Sequence, residues 1–90
     1  MSEPLHLRAT LNHFGRIAPR RHWSMENHLH EHFHELILVL SGVLETQIRG
    51  QCIRGQRGDI LYYPRGEWHA EQSTGQESLE TLFLAWQWRE

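Results

Sequence analysis

The sequence predicts a small all-β domain, a barrel or a sandwich, and three observations lead to this prediction. Short apolar or alternating segments recur along the chain, as is typical of strands. Glycine or proline separates most of these segments, where turns are expected. No segment has the periodicity of an amphipathic helix. About seven or eight short strands in a chain of 90 residues leave room for a single domain with one core.

The N-terminal part, residues 1–27, is predicted to be one strand followed by a loop. Residues 5–11 (LHLRATL) alternate between apolar and polar side chains, which indicates an edge strand. Gly15 and Pro19 interrupt the segment that follows, so we expect a loop there. This loop carries a basic cluster that we interpret as a solvated surface: Arg16, Arg20, Arg21 and His22.

The centre of the chain predicts a hairpin preceded by a buried strand. Residues 35–40 (ELILVL) form a continuous apolar run, which is typical of a strand covered on both faces. Residues 43–49 (VLETQIR) return to alternation, as expected for a strand with one buried face. Gly50-Gln51 predicts a hairpin turn, and residues 52–54 the strand that returns from it.

The C-terminal part predicts three further strands. Residues 60–63 (ILYY) form a short strand that a proline ends. A turn is expected at residues 64–66, and another strand at residues 68–72. After a polar loop, residues 79–88 (LETLFLAWQW) predict a long closing strand.

Composition and charge limit the classes of function that the chain can have. Hydrophobic residues make up 39% of the chain and charged residues 22%, which is typical of a globular protein. The net charge of −2 gives no basic field for nucleic acid, and protonation of all eight histidines would raise it to +6. Cys52 is the only cysteine, so no intramolecular disulfide can form. With no signal peptide or membrane-spanning run evident, we expect a cytoplasmic protein.

Four histidines at every second position stand out in the segment HLHEHFHELILVLSG, residues 28–42. Imidazoles and carboxylates together suit zinc, iron, nickel or manganese. His28 and His30 would project to the same side of an extended chain, about 7 Å apart. Glu35 would face the other side, so a shared site requires a bend before Glu35. His69 follows a strand and a Pro-x-Gly turn and could supply one more imidazole. The alternative interpretation of the segment 28–42 is a loop with histidines on its surface.

Two spaced motifs resemble those of the cupin superfamily, in the same order. The residues that match are His28, His30, Glu35 and Gly42 in the first motif, and Gly58, Pro64, Gly66 and His69 in the second. The resemblance covers residues 28–73 and implies a small β-barrel of jelly-roll type (a double-stranded β-helix) with a metal near one open end. It implies His28, His30, Glu35 and His69 as the metal ligands. Ser73 stands where such motifs often end in asparagine, a position that is not a ligand.

Other residues are further candidates for the same site. His32 or His34 could replace His28 as a ligand if the bend fell elsewhere, or could lie behind the ligands or in solvent. Aromatic side chains are weaker candidates for lining a pocket: Tyr62, Trp68 and Trp86.

The segments PRRHWSMENHLHEHFHE and GDILYYPRGEWH resemble the N-terminal cupin domain of AraC-like transcription regulators. This resemblance implies a module that binds a small effector and forms a homodimer. No helix-turn-helix pattern is evident in this chain, so we expect no direct contact with nucleic acid. The alternative is a small stand-alone metal-dependent enzyme, such as an isomerase, dioxygenase or decarboxylase, although so short a chain leaves few residues to build a substrate pocket.

Overall fold

The computed structural model describes residues 5–89, which form strands and turns and, in that range, no helix. The eight strands are β1 (Ala9–Arg20), β2 (Ser24–His28), β3 (His34–Ser41), β4 (Val43–Ile48), β5 (Gln51–Gln56), β6 (Ile60–Tyr63), β7 (His69–Ser73) and β8 (Leu79–Trp88). The predicted all-β fold is therefore confirmed. None of the described residues belong to a helix with the length and apolar character needed to cross a bilayer.

The strands form two antiparallel sheets of four strands each. One sheet has the order β1-β8-β3-β6 and is called the β8 sheet below; the other has the order β2-β7-β4-β5 and is called the β7 sheet. Strands that are neighbours in space but distant in sequence, such as β3 and β8, are typical of a jelly roll. The core draws on strands of both sheets: Ile37, Val39, Leu44, Ile48, Tyr63 and Leu79.

The N-terminal part differs from the prediction, because most of the expected loop is strand. Strand β1 continues through Gly15 and Pro19. A Cβ atom at Gly15 would lie only 2.6 Å from the Phe83 ring, so glycine here allows that ring to pack closely rather than ending the strand. Pro19 is tolerated because β1 is an edge strand and its register shifts between Ile17 and Arg20.

Strand β3 has one buried face and one half-buried face, not the two covered faces predicted from its apolar run. Its core face is formed by Glu35, Ile37 and Val39. Three leucines lie on the other face and remain partly exposed within this chain: Leu36, Leu38 and Leu40. The outer face of the β8 sheet is therefore apolar but incompletely covered.

The predicted hairpin is present with its turn shifted by one residue. Strands β4 and β5 are joined at Arg49-Gly50, where the φ angles are 52° and 72°. Two successive residues with positive φ are the signature of a type I′ turn, which matches the twist of the strands it joins. Strand β5 also extends to Gln56, two residues beyond the predicted returning strand. Strand β8 spans the predicted residues, Leu79–Trp88.

Candidate metal centre

The two histidine motifs meet where β2 lies against β7. Strand β2 ends at His28, the chain turns over residues 29–33, and β3 begins at His34. This turn is the bend that a shared site for His30 and Glu35 requires. In the antiparallel pairing of β2 with β7, His28 is the direct partner of His69. The sheet thus brings the histidine of the second motif beside those of the first.

Three imidazoles converge at this point. One donor nitrogen from each of His28, His30 and His69 lies within 4.8 Å of the other two. Glu35 belongs to a second group of the same kind, which it forms with His69 and Glu71. The two groups share His69, and Glu35 Oε1 lies 3.8 Å from His30 Nε2. The structure therefore brings all four predicted ligands to one place and adds Glu71 to them.

Backbone carbonyls orient two of the imidazoles. His69 Nδ1 is 3.0 Å from the carbonyl oxygen of Glu67, and His28 Nδ1 is 2.6 Å from that of Glu26. A neutral ring that donates its Nδ1 proton to a carbonyl keeps Nε2 free as an acceptor. Metal-binding histidines are commonly held in this way, with the second ring nitrogen fixing the tautomer.

The environment of His69 Nε2 fits a bound cation. The His69 side chain is 1% exposed, and its Nε2 atom has no hydrogen-bond partner among the described residues. Glu71 Oε2 is also buried without a partner, and Glu71 Oε1 lies 3.6 Å from His69 Nε2. Buried polar atoms are rarely left unpaired, because each costs free energy. A set of imidazoles and carboxylates is suited to zinc, iron, nickel or manganese, so the donors present fit such an ion.

Burial raises the pKa of both buried carboxyl groups, Glu35 and Glu71. It raises the pKa of Glu35 to about 7. It also raises the pKa of Glu71 to about 8, where the neighbouring Glu35 adds to the effect and a hydrogen bond from Tyr63 opposes it. Both shifts have the same cause, since a charge is disfavoured where water is excluded. In the metal-free protein these carboxyl groups therefore bind protons at much higher pH than usual.

The pKa values of two site histidines, His30 and His69, are shifted in the opposite direction. Burial lowers the pKa of His30 to about 4, with further lowering by His28, His69 and His13. Burial also lowers the pKa of His69, although its hydrogen bond to the Glu67 carbonyl opposes the shift. Both rings are therefore neutral near pH 7, and the neutral imidazole is the form that binds a metal ion.

A cavity of about 310 Å³ lies beside the histidines. Much of its wall is apolar and comes from Ile17, Trp23, Met25, Ile37 and Phe83. His13, on β1, also lines it, and its Nε2 atom is 3.9 Å from Glu35 Oε2. Sequence reasoning missed His13 because the segment containing it was assigned to a loop.

Two histidines that were alternative candidates do not reach the site. The His32 side chain is 78% exposed, beside Glu31. His34 begins β3 on the face opposite Glu35, where its Nδ1 atom lies 2.8 Å from the Tyr62 hydroxyl and accepts a hydrogen bond from the Arg65 amide. The bend therefore falls where His28 and His30, rather than these two, face the cavity.

The prediction that Tyr62, Trp68 and Trp86 line the pocket is wrong for this cavity. Tyr62 and Trp86 lie on the outer face of the β8 sheet, because alternation along β6 turns Tyr63 inward and Tyr62 outward. Trp68 is 57% exposed and borders a separate depression that also contains Arg49 and Glu67. The side chains that pack together on the outer face, here called the outer aromatic cluster, are His34, Tyr62, Trp86 and Trp88.

Comparison with known proteins gives a family match and several similar structures. Residues 15–85 match the family described as "Cupin domain". No curated protein matches the chain. A protein of Thermotoga maritima described as a predicted oxalate decarboxylase is 25% identical, with a TM-score of 0.72 over 83% of this chain and 65% of that one. The chain thus spans less than two thirds of that protein.

Two more distant structures share the fold over most of their length. A cupin superfamily protein of Desulfitobacterium hafniense is 15% identical, with a TM-score of 0.67 over 97% of this chain and 83% of that one. A cupin-2 domain protein of Shewanella frigidimarina is 19% identical, with a TM-score of 0.63 over 93% and 82%. These two comparisons bear on the fold alone.

Proposed function

The chain belongs to the cupin domain family, and from that premise we propose that it is a metal-binding domain that recognises a small molecule. We further propose that it is the effector-binding and dimerisation module of an AraC-like transcription regulator. The observation that carries the metal proposal is the convergence of the imidazoles of His28, His30 and His69. The first two of these residues also line the cavity of about 310 Å³. A pocket of this size accepts a small organic ligand.

The proposed ligands are His28, His30, Glu35 and His69. The three imidazoles donate through the ring nitrogens that face one another, and Glu35 supplies negative charge to the ion. A divalent metal held by these residues would supply a Lewis-acidic centre beside the cavity. The chain binds and orients the ion, while the small-molecule ligand occupies the adjoining space.

The cavity wall indicates the chemistry of the small molecule. Trp23, Met25 and Phe83 offer apolar and aromatic surface to it. An ion at the histidines would bind an oxygen-bearing group such as a carboxylate, while this surface packs against the rest of the molecule. We therefore propose an effector with a metal-binding oxygen group on an apolar body.

The dimerisation proposal draws on the outer face of the β8 sheet. Strand register aligns Leu84 with Phe14 on one side and with Leu36 on the other. Large apolar side chains remain exposed across this sheet: Phe14, Ile60, Tyr62, Leu82, Leu84 and Trp88. Contiguous apolar surface of this kind commonly marks an interface. A second copy of the chain covering this face would bury it.

Metal analysis tests the site. The untagged protein, purified without a nickel column, is expected to contain close to one divalent ion per chain by elemental analysis. Thermal-shift screening of small carboxylic acids, with and without added metal, then tests whether the cavity takes such ligands. A folded chain that binds no divalent ion in titrations would refute the metal proposal.

Light scattering tests the dimer. The wild-type chain is expected to elute as a dimer, and Leu84→Glu on the outer face to weaken that dimer roughly tenfold or more. Ile53→Glu is the matched control, because Ile53 is similarly exposed but lies on β5 of the other sheet. A wild-type monomer at high concentration would contradict the proposal.

The proposal that this domain is part of a transcription regulator is tested in the gene sequence. A reading frame that continues past Glu90 into helix-turn-helix units supports it, and a stop codon there counts against it.

The alternative is an enzyme, and the similarity to the Thermotoga maritima protein favours testing it. That protein is described as a predicted oxalate decarboxylase. The metal-loaded chain can be incubated with oxalate and the release of carbon dioxide measured. Turnover that is lost in His69→Ala would support the enzyme, whereas ligand binding without turnover would support the effector module.

A further inference from the structure

Strand β7 carries a second potential metal donor next to His69. Glu71 follows His69 by two residues, so both side chains project from the same face of the strand. His28 and His30 have the same spacing in the first motif. The motif resemblance assigns no role to Glu71, although its side chain lies among the proposed ligands.

Glu71 is buried in a position that is costly without a cation. The residue is 5% exposed, and its Oε2 atom has no hydrogen-bond partner among the described residues. The facing His69 Nε2 atom is 3.6 Å from Glu71 Oε1 and is also unpartnered. Two buried polar atoms without partners on neighbouring side chains are unusual, because each has lost its hydrogen bonds to water. A cation between them would satisfy both.

We propose that Glu71 is an additional ligand of the same metal ion, so that the protein supplies three imidazoles and two carboxylates. This inference rests on the metal site proposed above. One carboxylate oxygen of Glu35, one of Glu71 and a ring nitrogen of His69 all lie within 4.8 Å of one another. Donors bound to one ion at about 2.1 Å lie about 3 to 4 Å apart, so small side-chain movements suffice.

Five protein ligands have a consequence for metal choice. Structural zinc sites are usually four-coordinate, whereas manganese and iron accept six ligands and favour carboxylate oxygen. Glu35 and Glu71 together also balance the two positive charges of the ion. Glu71 therefore selects for a six-coordinate ion with one open position, and the loss of Glu71 shifts the preference toward zinc.

Glu71→Gln tests this assignment, with Glu77→Gln as the matched control. Glu77 is exposed in the loop before β8, so its substitution makes the same change in charge away from the site. Manganese affinity is expected to fall roughly 10- to 100-fold in Glu71→Gln and to stay unchanged in the control. Zinc affinity should fall less. Bound cobalt should absorb more strongly in Glu71→Gln, because fewer ligands remain.

Thermal stability without metal separates a ligand from a structural role. A metal ligand predicts that metal-free Glu71→Gln is at least as stable as metal-free wild type, since a buried carboxyl is replaced by a neutral amide. Unchanged manganese affinity in Glu71→Gln would overturn the inference. If that variant fails to fold, Glu71→Asp decides: manganese affinity roughly tenfold or more below that of wild type supports Glu71 as a ligand, and unchanged affinity refutes it. A wild type that binds none of these ions would instead refute the metal site itself.

Discussion

Two histidine–tyrosine pairs lie on opposite faces of the fold and differ in how their polar atoms are satisfied. In the inner pair, His69 stacks on Tyr63 with ring centroids 4.2 Å apart, and His69 Nε2 has no hydrogen-bond partner within residues 5–89. In the outer pair, His34 stacks on Tyr62 at 5.8 Å, and His34 Nδ1 is bonded to the Tyr62 hydroxyl and the Arg65 amide. The residue types are the same, but only the inner pair keeps a free buried acceptor.

The difference follows from alternation along the strands. Tyr62 and Tyr63 are neighbours on β6 and point to opposite faces, as do His34 and Glu35 on β3. On the outer face, nearby donors and solvent satisfy His34 Nδ1 and the Tyr62 hydroxyl at little cost. On the inner face, burial removes water and leaves a nitrogen that a metal ion would satisfy. Histidine density in the sequence is therefore a weaker indicator of a metal site than the face on which each histidine falls.

The largest expected effect compares His69→Ala with His34→Ala. Removal of the buried His69 imidazole should lower the affinity for zinc or manganese by roughly 100-fold or more. This loss is larger than that usually caused by changing a residue that only hydrogen-bonds to a metal ligand. His34→Ala should leave metal affinity unchanged, because His34 lies on the outer face. Calorimetric titration of both variants and wild type measures the difference. Equal losses in the two variants would mean that metal binding does not depend on the inner face.

The next effect concerns the pH dependence of the metal-free inner site. The pKa of Glu35 is raised to about 7 and that of Glu71 to about 8, so the folded state keeps protons that the unfolded state loses above pH 4.5. Stability is therefore lost as the pH rises through these folded-state values. His30 and His69 partly offset this fall, because burial lowers their pKa in the folded state while the unfolded state still binds protons near pH 6.5. The free energy of unfolding should therefore fall by about 1.5 kcal/mol between pH 6.5 and 8.

Urea denaturation in the presence of a chelator measures this fall. Glu71→Gln should flatten the dependence, because its amide does not titrate. Saturating metal should reverse it, since the ion binds deprotonated carboxylates more tightly as the pH rises. A metal-free wild type whose stability increases from pH 6.5 to 8 would show that these carboxyl groups are ionised within the fold.

The inner site was partly predictable from sequence because spacing and alternation constrain it. Strand parity places His28 with His30 and requires a bend before Glu35, and the structure has that bend at residues 29–33. The motif resemblance also implied a donor from a second strand, His69, and the structure places His69 directly opposite His28. The parity inference depends on local geometry, which a short sequence segment determines, whereas the inference about His69 depends on the resemblance to a family motif.

The remaining residues of the site depend on packing between distant strands. His13 belongs to a strand whose glycine was interpreted as a break, although Gly15 is required by the close approach of the Phe83 ring. Glu71 could have been found from its two-residue spacing to His69, but its burial is set by sheet packing. Likewise, Trp86 belongs to the outer aromatic cluster because it pairs with His34 across β3 and β8. Aromatic character alone could not assign it to a face.

The smallest expected effect compares the two neighbouring tyrosines. The Tyr63 hydroxyl is buried and lies 2.7 Å from Thr46 Oγ1, so Tyr63→Phe leaves the buried Thr46 hydroxyl without this partner. We expect it to lower the free energy of unfolding by about 1 to 2 kcal/mol. Tyr62 is 49% exposed, so water can replace the hydrogen bond between its hydroxyl and His34. Tyr62→Phe should therefore lower the free energy of unfolding by only about 0.5 kcal/mol. Urea denaturation of the two metal-free variants at pH 6 measures their free energies of unfolding. Equal losses of stability would contradict the structure, in which the inner pair is shielded from solvent and the outer pair is not.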